Sequence, residues 1–347
     1  IDAFVDYEDV EQIVSQGETK STVVLRSDLQ VDVRVVGEES YGAALLYFTG
    51  SKAHNIALRD MAMDRDLKVN EYGVFRGDER ITGETEEEIY ELFDLPYIPP
   101  ELREDRGELE AARDDALPSL LTPDDIRGDL QMHTTASDAD STLREMVEGA
   151  QALGYEYIAI ADDLMKQIEK IDQLNDELDD FRVLKGMEVD IMEDGSLDLP
   201  DEALENLDVV VGSIHTKFDL PGEQQTERII RAMDNPHFNI LGHPTGRHIG
   251  KRPPYDVDLE RVMGAALERG CFLEINASPE RLDLNDVYAK LAKEMGLNLV
   301  ISTDAHHVNG LSNMKYGVWQ AWRGWLEPDD VLNTRSWQDL LDILKRG

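Results

Sequence analysis

The sequence predicts an α/β fold in which a seven-stranded (β/α) barrel follows a smaller α+β unit. Three observations carry this expectation. From residue 126 onward short apolar runs alternate with helical segments, the rhythm of a (β/α) barrel. Nearly every run ends in His, Asp or Glu. Residues 1–106 lack that rhythm and show strand-like alternation followed by separate helical and β-rich patterns. The 347 residues are enough for two domains at roughly 150 residues each.

In the first part, residues 22–36 read as a strand, with Leu29, Val31, Val33 and Val35 on one side and Gln30, Asp32 and Arg34 on the other. A helix is expected over 51–64, with Ser51 as N-cap, and places Asn55 and Arg59 (i,i+4) on one face. A β-rich stretch over 68–81 and a helix over 86–93 follow. Residues 94–125 carry Pro96, Pro99, Pro100, Pro118 and Pro123 among many charges, so 107–125 reads as the linker between a domain at 1–106 and one at 126–347. In that second domain the runs at 128–133, 157–163, 183–188, 209–215, 240–243, 271–274 and 299–306 are the seven strands, separated by helices such as 143–153, 258–269 and 286–295. No Gly-rich first turn marks a doubly wound sheet.

Composition narrows the function classes. There are 73 Asp and Glu against 34 Lys and Arg, a formal charge of −39, yet 41% of residues are hydrophobic, too many for an acidic disordered chain. Either the partners are cationic or the cell is saline; only 12 of the basic residues are Lys, which favours the saline reading. Two segments depart from the acidic average. Residues 51–80 balance six acids with six bases, and 236–255 hold no carboxylate while carrying Arg247, Lys251 and Arg252. Phosphate binding is expected there. The single Cys271 excludes a disulfide scaffold and indicates a reducing, cytoplasmic setting. No apolar stretch approaches 18 residues, and the first ten residues are acidic without a basic one, so neither a membrane span nor a signal peptide is expected. The start at Ile1, inside amphipathic sequence, reads as a piece of a longer chain.

His, Asp and Glu delivered from separate strand ends suit divalent ions such as Zn²⁺ or Mn²⁺. Paired ions of this kind generate hydroxide and neutralise both the attacking and leaving oxygens of a phosphoester. Any one of these histidines alone could be a core or surface residue; six or more ligand-type residues at successive strand ends favour the metal reading. No Gly-x-Ser-x-Gly, P-loop or catalytic cysteine competes with it. Arg247, four residues after His243, would reach a non-bridging phosphate oxygen. Lys251 and Arg252 would contact neighbouring phosphates of a strand.

The motifs Gly128-Asp129-Leu130-Gln131-Met132-His133-Thr134, Gly242-His243-Pro244-Thr245-Gly246-Arg247, Leu273-Glu274-Ile275-Asn276 with Arg281-Leu282-Asp283-Leu284, and Ser302-Thr303-Asp304-Ala305-His306 with Arg323-Gly324-Trp325-Leu326 resemble the PHP (polymerase and histidinol phosphatase) domain. The likeness is to the version fused to bacterial and archaeal family X DNA polymerases. It implies a distorted seven-stranded barrel holding up to three metals, Mn or Zn. The ligands implied are His133, Asp138, Asp163, Glu188, His215, His243, Asp304 and His306, with His133, Glu188, His215 and Asp304 catalytic. Two positions depart from the family pattern: Gln131 replaces the first His of His-x-His, and Asp162-Asp163 replaces Asp-His. Residues 1–105, through Leu29-Gln30-Val31-Asp32-Val33-Arg34, Tyr47-Phe48-Thr49-Gly50-Ser51, Asn55, Arg59 and Asn70-Glu71-Tyr72, resemble the palm end and thumb of the same polymerases. Asp32 matches a metal-binding carboxylate and Arg34 its neighbour. Tyr47 and Phe48 match the sugar gate beside a Gly50 hinge, Asn55 a minor-groove contact and Arg59 a template contact. The upstream Gly-Ser and Asp-x-Asp elements of that polymerase site do not occur in the chain.

The resemblance implies a gap-filling base excision repair polymerase in full length, using dNTPs with Mg or Mn. It also implies a 3′-5′ exonuclease or phosphoesterase in the barrel, acting on gapped duplex or DNA 3′ ends. A non-catalytic DNA-binding module and a small-molecule phosphatase of the histidinol-phosphatase type are the alternatives.

Overall fold

A computed structural model describes residues 1–162 and 168–345. It divides into two compact units, Ile1–Leu117 and Pro118–Gly347.

The first unit opens with the antiparallel strands β1 (Val10–Gln16), β2 (Lys20–Leu25) and β3 (Gln30–Arg34). The single strand expected over 22–36 is therefore a hairpin. The alternation runs unbroken through both arms, and only Asp28, at φ 62°, marks the turn, where the Leu25 amide donates to Leu29 O at 2.8 Å. Helix Tyr41–Thr49 was not expected: its apolar residues are too dense to show a face, and it carries Tyr47 and Phe48. Helix Lys52–Met63 follows, capped as expected by Ser51, whose hydroxyl accepts from the His54 amide at 3.3 Å. β4 (Lys68–Asn70), β5 (Gly73–Arg76) and β6 (Glu79–Thr82) form a second antiparallel sheet, and helix Glu86–Glu91 completes the expected order.

The stretch read as linker contains helix Glu108–Arg113, which belongs to the first unit. Composition could not show why. Glu108 is fully buried, pairs with His54 Nδ1 at 2.6 Å, and accepts the backbone amides of Asp105 and Arg106. Burial alone would raise its pKa, but these donors hold the carboxyl below its usual range. His54 Nε2 in turn lies 2.9 Å from the Tyr90 hydroxyl. Arg103, also fully buried, pairs with Glu86 at 2.6 Å, donates to Ile98 O, and faces the Tyr90 and Tyr97 rings. A buried pair broken on one side leaves an uncompensated charge and costs about 3–5 kcal/mol.

In the second unit β7 (Gly128–Met132), β8 (Tyr157–Ile160), β9 (Arg182–Asp190), β10 (Val209–Ser213), β11 (Ile240–Leu241), β12 (Phe272–Asn276) and β13 (Leu299–Ser302) lie side by side in chain order. All six adjacent pairs are parallel, with helices such as Leu143–Ala152, Gly222–Ala232, Leu259–Arg269 and Asp286–Met295 in the crossovers. Strands buried along their length, such as β10, show the continuous apolar runs expected of a covered parallel sheet.

The sheet nearly closes between β7 and β13. Met132 and Ala305 form a parallel bridge, the Asp304 amide donates to Gln131 O at 3.0 Å, and the His133 amide donates to Ala305 O at 2.9 Å. Buried Asp129 on β7 accepts from the Thr303 hydroxyl (2.5 Å) and amide (3.1 Å). Further along the seam, Asn333 donates to both Gly128 O and Ile301 O and accepts from the Ile301 amide. Burial pushes the Asp129 carboxyl up to about 7, against the hydrogen bonds from Thr303 and Gln131.

Two outcomes are expected. Arg103→Ala should lower the unfolding free energy of the first unit by about 3–5 kcal/mol in a denaturant titration; a loss under about 1 kcal/mol would show that the cluster does not hold this unit together. Asp129 retains its proton to about pH 7 when folded but to about pH 4 when unfolded, so its contribution is full in acid and lost as the pH rises through 7. Wild-type Tm should therefore fall relative to that of Asp129→Asn between about pH 4 and about pH 8, and a constant difference would contradict the assignment.

Candidate metal centre

Parallel strands place all their C-termini at one end of a barrel, and the ligand-type residues gather there. His133 follows β7, Glu188 lies near the end of β9, and His215, His243 and Asp304 stand two residues beyond β10, β11 and β13. His243 (φ 28°) and Asp304 (φ 53°) occupy left-handed backbone, a strain of order 1–3 kcal/mol each that accompanies functional placement.

Glu188 is the hub. Its Oε1 lies 3.0 Å from His243 Nε2 and 3.4 Å from His215 Nε2, and its Oε2 lies 3.6 Å from His133 Nε2. His133 Nε2 also stands 3.4 Å from Asp304 Oδ1. Glu188, His215 and His243 form one group whose ligand atoms lie within 4.8 Å of each other; His133, Asp138 and His306 form a second. The His133 and His306 rings stack at 4.4 Å. Ligands held about 2.0–2.2 Å from one ion in a tetrahedral shell stand roughly 3.4 Å apart, the spacing these atoms already have. The buried His133 Nε2 and His243 Nδ1 have no hydrogen-bond partner among the described residues. His306 Nδ1 donates to Asp304 O at 2.9 Å, which leaves Nε2 with its lone pair toward Asp138, 3.5 Å away. The donor set therefore fits borderline or hard divalent ions.

The electrostatics agree. Burial would raise Glu188, yet His215 and His243 hold it well below its ordinary value; burial would likewise raise Asp304, and His133 keeps it low. Burial would lower the imidazoles, but Asp304 and Glu188 raise His133, and Glu188 with Asp190 raises His215 to about 9. The pull that draws protons onto these imidazoles is the pull that favours a divalent cation.

The sequence reading did not single out Asp190 and gave Arg281, Asn276 and Asp162 no role. Asp190 accepts from His215 Nδ1 at 2.5 Å, the carboxylate–imidazole pairing that orients a ligand; its place two residues after Glu188, on the same side of the strand, was the available signal. Arg281 Nε stands 3.4 Å from Asp304 Oδ2, and its buried Nη1 has no partner among the described residues. Asn276 Nδ2 donates to Asp304 Oδ2 at 3.2 Å. Asp162, buried, accepts from the Thr134 amide at 2.8 Å and Ser137 Oγ at 2.6 Å, fixing the loop after β7. Asp163 lies outside the described residues.

The basic segment has other work. Arg247 donates through Nε to Arg281 O at 2.6 Å and through Nη2 to Leu282 O, and Arg252 donates twice to Gly246 O while its guanidinium lies 3.6 Å over the Phe218 ring. Lys251 and His248 both pair with Glu280. Of the expected phosphate rim, Arg247 and Arg252 donate to carbonyls left open by tight turns, including that at Leu282 (φ 47°), while the Lys251 side chain stays exposed beside Glu280. Arg281 is the guanidinium that faces the centre.

In the first unit, Asp32 and Arg34 share the exposed face of β3. Asp32 accepts from Thr22 and, at 3.3 Å, from Gln30, while the Arg34 guanidinium sits 5.0 Å over the Phe48 ring. Tyr47 and Phe48 pack edge to face, Gly50 takes φ 78° between the two helices, and Asn55 Nδ2 donates to Tyr47 O at 2.8 Å. Arg59 Nε donates to Asn55 O, and Tyr47 and Arg59 line a cavity of about 280 Å³ with Met63, Lys68, Asn70 and Glu71.

Residues 44–104 match the DNA polymerase beta thumb and residues 129–278 the PHP domain. The chain is 41% identical over 97% of its length to the DNA polymerase/3′-5′ exonuclease PolX of Bacillus subtilis, and spans 62% of that relative. A probable phosphatase of Thermoanaerobacter sp. is 33% identical over 59% of this chain and 89% of its own. A histidinol phosphate phosphatase from Lactococcus lactis, solved with zinc, L-histidinol and phosphate, superposes with a TM-score of 0.43 at 19% identity over 56% of this chain and 93% of that one. No helix among the described residues is long and apolar enough to cross a membrane. With a polymerase-β-type thumb preceding a PHP barrel, the chain belongs to the PolX-type, PHP-containing family X polymerases.

Proposed function

We propose that the barrel is a metal-dependent phosphodiester hydrolase acting on DNA 3′ ends, within a cytoplasmic base excision repair polymerase of family X. The observation that carries this reading is the convergence of Glu188 on three imidazoles at the barrel's C-terminal end. His133, Glu188, His215, His243 and Asp304, with Asp138 and His306, would hold up to three Mn²⁺ or Zn²⁺ ions; Asp163 is a further expected ligand. The chemistry such ions supply is a hydroxide nucleophile and charge neutralisation on the attacking and leaving oxygens. Asp190 keeps His215 Nε2 aimed at Glu188, Asn276 holds Asp304, and Arg281 presents a planar donor fork to a non-bridging phosphate oxygen. The thumb matched by residues 44–104 favours DNA over a small phosphate ester. Gapped duplex would lie along Tyr47, Phe48, Asn55 and Arg59, with dNTP and Mg²⁺ or Mn²⁺ engaged in the longer protein.

Hydrolysis of a 3′-labelled single strand with Mn²⁺ tests this. His215→Ala and Asp304→Ala should each reduce it by one to two decades or more. Arg281→Ala should reduce it about a hundredfold, with Arg281→Lys recovering only part because the fork is lost. Full activity in both ligand variants would move the chemistry elsewhere, and faster turnover of histidinol phosphate than of oligonucleotide would favour a small-molecule phosphatase.

A second outcome concerns synthesis. Two-metal polymerisation needs further carboxylates beside Asp32, whose hydrogen-bonding partners are Thr22 and Gln30. The purified chain should leave a one-nucleotide gap unfilled, and Asp32→Ala should not change its nuclease activity; gap filling by this chain would refute the assignment.

A further inference from the structure

Residues 305–326 hold no carboxylate, a longer acid-free stretch than 236–255 in a chain that carries 73 acids. They include Trp319, Trp322 and Trp325, three of the chain's four tryptophans. The stretch passes through a 3-10 segment, Val308–Asn313, into helix Met314–Arg323. Several of its large side chains have structural work. Trp322 Nε1 donates to Leu121 O, Lys290 Nζ lies 3.7 Å over the Trp325 ring, and Arg323 pairs with Asp286 at 3.0 Å. Three neighbours on the outer face of the helix do not. Trp319 is 45% exposed, and Tyr316 meets it edge to face at 5.4 Å. Lys315 Nζ stands 4.9 Å from the Tyr316 ring, and no carboxylate among the described residues pairs with it.

This face begins at the metal-holding end of the barrel. Gly317, on the inner side of the same turn, packs so closely that a Cβ there would meet Ile301 Cγ2 and, at 2.9 Å, Ala277 Cβ. Ala277 follows Asn276, which donates to Asp304. Lys315 and Tyr316 therefore stand level with the strand ends, and Trp319 lies one turn farther along. A tryptophan braced by a second ring is ordered before a ligand arrives, so a flat partner loses little freedom on binding. An unpaired cation in an acid-free stretch of a strongly acidic chain selects an anionic partner. A partner both flat and anionic is a nucleic-acid strand, whose bases stack on aromatic rings while its phosphates meet cations. We propose that Tyr316, Trp319 and Lys315 form a stacking platform for single-stranded DNA, holding the bases a few nucleotides 5′ of the end that enters the metal centre. Stacking acts at contact, so it works where long-range charge does not favour the strand.

The proposal takes from the hydrolase reading only where the strand ends, and its test needs no turnover. Affinity for a fluorescein-labelled oligo-dT of about 20 nucleotides, longer than a single stacking site requires, is measured by anisotropy with Mn²⁺ in the His215→Ala background, which slows cutting of the strand. Adding Trp319→Ala should weaken binding about tenfold, and Trp319→Phe should recover most of that because a flat ring remains. Lys315→Gln should lower the slope of log affinity against log salt by about 0.7, the loss of one phosphate contact. A labelled trinucleotide, too short to leave the centre, should lose less than about twofold in Trp319→Ala. Unchanged affinity for the long strand in Trp319→Ala would overturn the platform and leave this face to a protein partner; equal losses on both lengths would overturn it as well. A wild-type chain that cuts no strand with Mn²⁺ would refute the hydrolase reading alone, since the platform is read from binding.

Discussion

Closure of the seven-stranded sheet between β7 and β13 is the constraint on which the candidate metal centre depends. His133 and Asp304 sit on the two strands that meet there, and their contact exists only while the seam is shut. Three devices shut it: the Met132–Ala305 bridge, the Asp129–Thr303 hydrogen bonds and the triple engagement of Asn333. Asp129 and Asn333 satisfy open backbone groups that a short, nearly closed barrel cannot pair through its ladder alone. The polar residues in this core therefore set register as well as stability, because each bonds to a particular residue across the seam.

A second layer of organisation is charge compensation around a largely buried carboxylate. Glu188 would be costly to bury alone, and the three imidazoles around it offset that cost in the absence of an ion. The arrangement is tolerable without metal and better with it, since the same atoms already stand at ligand spacing. Asp190 and Asn276 act one step out, turning His215 and Asp304 toward the hub. Arg281 faces this acidic cluster, its Nε 3.4 Å from Asp304 Oδ2, with a buried Nη1 that has no partner among the described residues.

The barrel and the ligand-type residues that close its strands were legible in the sequence because parallel buried strands make continuous apolar runs whose C-terminal residues break them with His, Asp or Glu; the fuller ligand set came from the family resemblance. The first unit was less legible. A hairpin whose arms keep the same alternation looks like one strand, and helix Tyr41–Thr49 is apolar on too many sides to announce its period. Helix Glu108–Arg113 was hidden for a different reason: it is held by Glu108 with His54, 54 residues away, and such a pairing has no local signature. Asp190 could have been found from its two-residue offset to Glu188. Arg281 stands in a motif the sequence already shows, but only the fold brings it to Asp304.

The acid-free segment shows a second use for local positive charge. Residues 236–255 lack carboxylates, which marks them as a candidate rim, yet Arg247 and Arg252 spend their donors on the carbonyls of residues 281, 282 and 246. The two Arg247 bonds brace the loop that carries Arg281. A chain with a formal charge of −39 repels a polyanion at long range, and salt screens that repulsion beyond about 8–10 Å at physiological ionic strength. Phosphate recognition of the kind proposed would then act at contact distance, through a guanidinium held in a largely buried position where screening is weak. Bracing one arginine with another would meet that requirement better than an exposed basic patch.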